Sequence, residues 1–213
     1  GAEINRDIAS GYRREGGGEG GHPAGLCDRC VVDGQGDRGF SVIIGDGGAF
    51  LLGSALGSVA DRGDIDDDGY DDVLLGAYSN DDGGTNAGMV YVDLASSFTS
   101  ASSSYVVYSD YSFEGEESQD YAGSAVEGAG DVDGDGWDDL LMTAPQNDEA
   151  GSRAGKIYLL MGDGLTPSTI DLADADYAFL GENSGDYVGG SIASGDFDDD
   201  GLNDLLINGT GND

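Results

Sequence analysis

Asp131 to Pro145 read DVDGDGWDDLLMTAP. Aspartate stands at positions 1, 3, 5 and 9 of this stretch, glycine at 6 and a tryptophan at 7, and an apolar run follows. The same frame occurs twice more, as DIDDDGYDDVLLGAY from Asp64 and DFDDDGLNDLLINGT from Asp196. The step from Asp64 to Asp131 is 67 residues and that from Asp131 to Asp196 is 65. A period of this length marks a repeat architecture, in which each unit buries its apolar face against the next.

Working outward, each copy follows a short Gly/Ser-rich apolar stretch: LGSVADRG, AGSAVEGAG and VGGSIASG. The first two copies lead into a polar glycine loop and a further apolar run, NDDGGTNAGMVYVDL and NDEAGSRAGKIYLLMGD. Aromatic segments then precede the next copy: YSFEGEESQDY from Tyr111 and YAFLGENSGDY from Tyr177, with AFLLGSA from Ala49 as a shorter relative. The apolar pieces are short, β-branched or aromatic, and bounded by Gly, Asp, Asn and Ser, which is the strand signature. No sustained 3.6-residue period appears. Four short strands per repeat of about 65 residues predict an all-β chain of four-stranded antiparallel propeller blades.

The aspartate frame suits a hard cation. Calcium takes six to eight oxygen ligands, and a nine-residue loop can wrap around it. Carboxylates at positions 1, 3 and 5 can turn inward, glycine at 6 permits the sharp bend, the carbonyl of position 7 can join, and aspartate at 9 closes the cage. The expected ligands are Asp64, Asp66, Asp68, Tyr70 and Asp72 in the first loop. Asp131, Asp133, Asp135, Trp137 and Asp139 are those of the second, and Asp196, Asp198, Asp200, Leu202 and Asp204 those of the third. About three Ca2+ ions per chain are therefore expected. Asp138, at position 8, lies off this ligand pattern. A helical calcium hand is excluded, because it needs Glu at position 12, where Leu75, Met142 and Ile207 stand inside apolar runs. An all-oxygen set argues against zinc or copper.

The repeat resembles the FG-GAP repeat of the integrin alpha-subunit propeller and its bacterial relatives. VGGSIASGDFDDDG stands where that family has its Phe-Gly to Gly-Asp segment, and GAY, TAP and NGT stand where it has Gly-Ala-Pro. The resemblance covers residues 49–213. It implies a calcium hairpin between the first two strands of each blade, and a fragment of a roughly seven-bladed propeller. The family's Phe is replaced by Leu56, Ala122 or Val188, and its Pro survives as Pro145 alone. The resemblance also implies an extracellular or cell-surface module for adhesion or for recognition of a protein or glycan, without catalysis. The alternative is a structural spacer, or a non-catalytic domain attached to a secreted enzyme.

Charge narrows the partners. The 213 residues hold 43 acids and 8 bases, a formal net charge of −35. Nucleic acid and anionic membranes are excluded as partners, since phosphate binding needs Lys and Arg; no apolar run is long enough to span a bilayer. Residues 1–40 hold seven acids against five Arg, whereas residues 41–213 hold 36 acids against Arg62, Arg153 and Lys156. The chain divides accordingly into an irregular or divergent segment, 1–38, and a partial propeller, 39–213, with repeats starting near 49, 111 and 177. GFSVIIGDGG from Gly39 resembles GKIYLLMGDG from Gly155, which predicts the end of an earlier blade. Its calcium loop would fall near residues 16–24, where GGGEGGHPA contains no aspartate. The chain does not begin with Met, and any targeting segment is expected upstream.

Two motifs invite other functions. Arg62-Gly63-Asp64 matches an adhesive tripeptide, but Asp64 is position 1 of the first loop, so its carboxylate is expected to face a metal. Cys27, Cys30 and His22 suggest zinc, but a structural zinc site needs four ligands; a local disulfide or two free thiols is the expectation. His22 is the single histidine, which removes the commonest general base. A two-metal hydrolytic centre needs ions about 4 Å apart, and three loops spread over three repeats do not converge in that way.

Overall fold

The computed structural model describes the strands at 30–33, 41–45 and 48–52, and then residues 58–60, 63–95, 109–166 and 168–211. Strands β1 (Cys30–Asp33), β2 (Ser41–Gly45) and β3 (Gly48–Leu52) form an antiparallel meander, with Cys30 opposite Ile44 and Ile44 opposite Ala49. A strand therefore lies within the segment 1–38 and pairs across its boundary. The zinc candidates His22 and Cys27, the side chain of Cys30, the stretch 16–24 and Arg62 lie outside the described residues.

Strands β4 (Ser58–Ala60), β5 (Val73–Ala77), β6 (Met89–Asp93) and β7 (Tyr111–Glu114) make one antiparallel blade. The next blade is built from β8 (Val126–Gly130), β9 (Asp139–Ala144), β10 (Lys156–Leu160) and β12 (Tyr177–Leu180). Between β10 and β12 the chain makes a three-residue strand, β11 (Thr169–Asp171), that pairs in parallel with β7 of the preceding blade, Thr169 opposite Ser112. This parallel fifth strand goes beyond the antiparallel four-stranded expectation. Strands β13 (Val188–Gly195) and β14 (Asp204–Gly209) form an antiparallel pair that begins the third aspartate-loop blade. These sheets are blades of a partial β-propeller. The aspartate-rich loops join β4 to β5, β8 to β9 and β13 to β14, as the resemblance implies.

The sequence repeats and the blades are out of phase. The repeats starting near 111 and 177 open on β7 and β12, yet each of these strands hydrogen-bonds to the sheet before it.

Why the middle strands read as unbroken apolar runs is clear from the packing. β5, β9 and β10 are buried along their whole length. In β9 and β10, Leu140, Met142, Tyr158 and Leu160 face the first blade, against Leu74, Val90, Val92 and Phe113. Leu141, Ile157 and Leu159 point the other way, to Val188, Ile192, Leu205 and Ile207 of the third repeat. Sheet covered on both faces has no polar side to alternate with.

The end opposite the aspartate loops is laced by backbone. Ala122 N–H donates to Ala87 O (2.8 Å), and one repeat later Val188 N–H donates to Ala154 O (2.9 Å). Gly88 (φ +90°) makes this lacing possible: a Cβ there would lie 2.1 Å from Ala122 O. Lys156, the only lysine of the chain, is buried beside the lacing and bonds Glu116 and Glu149, each at 2.6 Å. Asp120 is buried nearby, where the Asn147 amide donates to it at 2.7 Å.

Candidate metal centres

Each loop is wound around its first aspartate. Asp64 accepts from the N–H groups of Asp68 (2.9 Å) and Gly69 (2.8 Å). Asp131 accepts from those of Gly134, Asp135 and Gly136, and Asp196 from those of Asp199, Asp200 and Gly201. Three successive N–H groups can converge because positions 4 and 6 are left-handed. Asp67, Gly134 and Asp199 have φ of 53°, 85° and 68°, and Gly69, Gly136 and Gly201 have 89°, 96° and 94°. Glycine is the residue that adopts this conformation without strain. Position 5 then fixes the N–H of position 7: Asp68 holds Tyr70, Asp135 holds Trp137 and Asp200 holds Leu202, at 2.8–3.0 Å.

Position 9 ties the loop to the sheet. Asp72 accepts from Ile65 N–H (2.8 Å) with one oxygen and from Ala95 N–H, just past β6, with the other (2.7 Å). Asp139 does the same with Val132 (2.9 Å) and Gly162 (3.0 Å), and Asp204 accepts from Phe197 (2.9 Å). Asp72 and Asp139 are fully buried. Burial pushes the Asp72 carboxyl up to about 6, against the pull of the Ala95 and Ile65 N–H groups and with help from Asp66 and Asp68. Burial raises Asp139 too, opposed by the Val132 and Gly162 N–H groups and reinforced by Asp133 and Asp135. A carboxylate oxygen that accepts one N–H keeps a lone pair, so this anchoring leaves position 9 able to ligate.

The carboxylates converge in threes. One oxygen from each of Asp64, Asp66 and Asp72 lies within 4.8 Å of the others, and the same holds for Asp131, Asp133 and Asp135, and for Asp196, Asp198 and Asp204. Positions 1 and 3 belong to every triplet; the third member is position 9 in two loops and position 5 in the other. Asp68, Asp139 and Asp200 stand outside the triplets. In the first loop Asp66 Oδ1 is shielded from solvent and has no hydrogen-bond partner. Burial raises the Asp66 carboxyl first, reinforced by the charges of Asp68, Asp64 and Asp110 and opposed by the Asp68 N–H. The two described bases are engaged elsewhere, Lys156 with its glutamates and Arg153 with the Tyr187 hydroxyl. Converging oxygens, an orphaned buried oxygen and an all-carboxylate donor set fit a hard divalent cation.

Position 8, which sequence reasoning leaves out of the site, reaches back to the previous loop. Asp138 Oδ2 accepts from the N–H of Asp64 at 2.9 Å. Asn203 N–H donates to Asp131 O at 2.9 Å, and its side-chain amide donates to Ala129 O at 2.7 Å. The signal available in the sequence was the recurrence of Asp or Asn at this position.

Residues 122–160, from the approach to β8 to the end of β10, match the sequence model of the FG-GAP repeat. Over these residues the chain is similar to the FG-GAP repeat. It is also similar to integrin alpha-IIb of the mouse (Mus musculus), with 30% identity over 89 residues. That alignment takes in 42% of this chain and 8% of the relative, so the chain spans a small part of the protein it matches.

Proposed function

We propose that the chain is a calcium-binding FG-GAP propeller module of an extracellular or cell-surface protein. Its loops grip ions that stiffen the blade ends, and the module serves adhesion or recognition of a protein or glycan. The observation that carries the calcium reading is the orphaned, solvent-shielded Oδ1 of Asp66, a residue whose carboxylate converges with those of Asp64 and Asp72 to within 4.8 Å. A buried carboxylate oxygen without a partner is costly, and a cation in the triplet removes that cost. The ligands of each ion are drawn from positions 1, 3, 5 and 9, with the carbonyls of Tyr70, Trp137 and Leu202 completing the set. Calcium suits an irregular set of six to eight oxygens better than magnesium, which demands strict octahedral geometry. The extracellular setting rests on the similarity to a protein named as an integrin and on the millimolar calcium range of extracellular modules.

Calorimetric titration tests this reading. About three calcium ions per chain are expected, and about one fewer in Asp135→Ala. Each site should add about 2.7 kcal/mol of stability at a hundredfold excess of calcium over its dissociation constant. Magnesium should restore the melting temperature less well. Equal stoichiometry in wild type and Asp135→Ala would remove the ligand assignment.

A further inference from the structure

We propose that the residue at position 8 couples each metal loop to the loop before it, so that hard divalent ions load neighbouring loops cooperatively. The inference rests on the reading of the loops as cation sites and concerns what passes between them. Asp138 lies between two candidate ligands of the second loop, the Trp137 carbonyl and Asp139. Its own carboxylate turns away from that loop and accepts the N–H of Asp64, the residue around which the first loop is wound. Asn203 repeats the arrangement with the chemistry inverted. It sits between Leu202 and Asp204, and donates to the carbonyls of Asp131 and Ala129, which are the hub of the second loop and the strand feeding it. Side-chain packing follows the same path. Leu202 Cδ2 lies 3.0 Å from where a Cβ on Gly134 would stand, and Gly130 leaves room for the Asn203 amide, which would meet a Cβ at 1.8 Å.

The consequence is energetic. An ion that orders positions 7 and 9 of one loop also orders position 8. That fixes the main chain at position 1 of the preceding loop, whose carboxylate gathers the N–H groups of its turn. The second ion then meets a loop whose ordering is already complete, which is positive coupling without any large movement. By linkage the effect is reciprocal. A contact that merely glued the blades would stabilise the fold without altering one site's affinity when the other is emptied.

The test uses the full 213-residue chain and calcium itself. Trp137 is the only tryptophan, so its fluorescence follows the second loop. Asp66→Asn empties the first loop. In an otherwise wild-type chain it should weaken calcium at the Trp137 loop by about fivefold or more. In an Asp138→Ala background the same substitution should weaken calcium clearly less, while Asp138→Asn, which keeps a side-chain acceptor, should preserve the coupling. Any through-space loss of charge at Asp66 is equal in both backgrounds and cancels in the cycle. Equal ratios in the two backgrounds would overturn the proposal. Should Asp138→Ala fail to fold, amide exchange decides. In Asp66→Asn, filling the second loop should slow exchange at the Asp64 N–H, and unchanged exchange would equally overturn it. A Trp137 signal that never saturates with calcium removes the calcium reading and this coupling together; saturation without coupling removes the coupling alone.

Discussion

Asp93 occupies in β6 the register position that Leu160 occupies in β10: Asp93 lies opposite Val73, and Leu160 opposite Leu140. It is fully buried, and neither of its oxygens makes a hydrogen bond of good geometry. Burial pushes its carboxyl up to about 6, opposed by the Ser109 hydroxyl and reinforced by Asp110. A folded-state value above the unfolded one means that the native state holds the proton more tightly, so this group's contribution declines as pH rises from about 4 to about 6. Above that window the charged form costs on the order of 3 kcal/mol. Asp93→Leu should therefore stabilise the protein at pH 7 by about 2–3 kcal/mol in urea unfolding, and the gain should shrink toward pH 4. A variant no more stable than wild type at pH 7 would show that the carboxylate finds a partner.

At the scale of loops and strands, two glycines with similar backbones should respond differently to substitution. Gly136 has φ +96° and open space where a Cβ would stand, so Gly136→Ala should cost about 1 kcal/mol, from backbone conformation alone. Gly88 has φ +90°, but its Cβ would lie 2.1 Å from Ala122 O. Gly88→Ala should part the backbone lacing and cost more than about 3 kcal/mol, read as the difference in urea midpoints. Equal costs would mean that the lacing can move aside. The aspartate loops and the strands on either side of them were legible in the sequence, because glycine and aspartate at fixed places in a turn answer to local geometry. β9 was legible as a strand for the same reason, though its DLLMTA run does not say that Leu140 and Leu141 face different blades. β11 was not legible: Thr-Ile-Asp is too short for a period, and its partner lies 57 residues away. The reach of Asp138 and Asn203 was hidden too, since contact between blades leaves no mark within either loop. The second hydrogen bond of Asp72 and Asp139, to Ala95 and Gly162, escaped because each partner lies 23 residues further along the chain, outside the loop's own pattern.

Over the whole molecule, a formal charge of −35 makes proton and ion uptake compete. Burial lifts Asp72, Asp93 and Asp120 to about 6, and raises Asp66 and Asp139. In metal-free buffer the native state therefore binds more protons than the unfolded chain, and stability should rise as pH falls from 7 toward 5. In saturating calcium the slope should reverse, because protons displace the ion from Asp66, Asp72 and Asp139. Melting curves at pH 7, 6 and 5 in the two buffers check both signs, and parallel slopes would mean that the raised carboxyls lie outside the ion sites. The half-step between repeat and blade has a consequence for ancestry. Excising residues 111–176 would bring Tyr177 next to Asp110, where it could close the first blade as Tyr111 does: Tyr111 lies opposite Val92, and Tyr177 opposite the equivalent Leu159. Unequal crossing-over between repeats could thus lengthen or shorten such a gene by whole units, and every intermediate would still encode blades with all four strands.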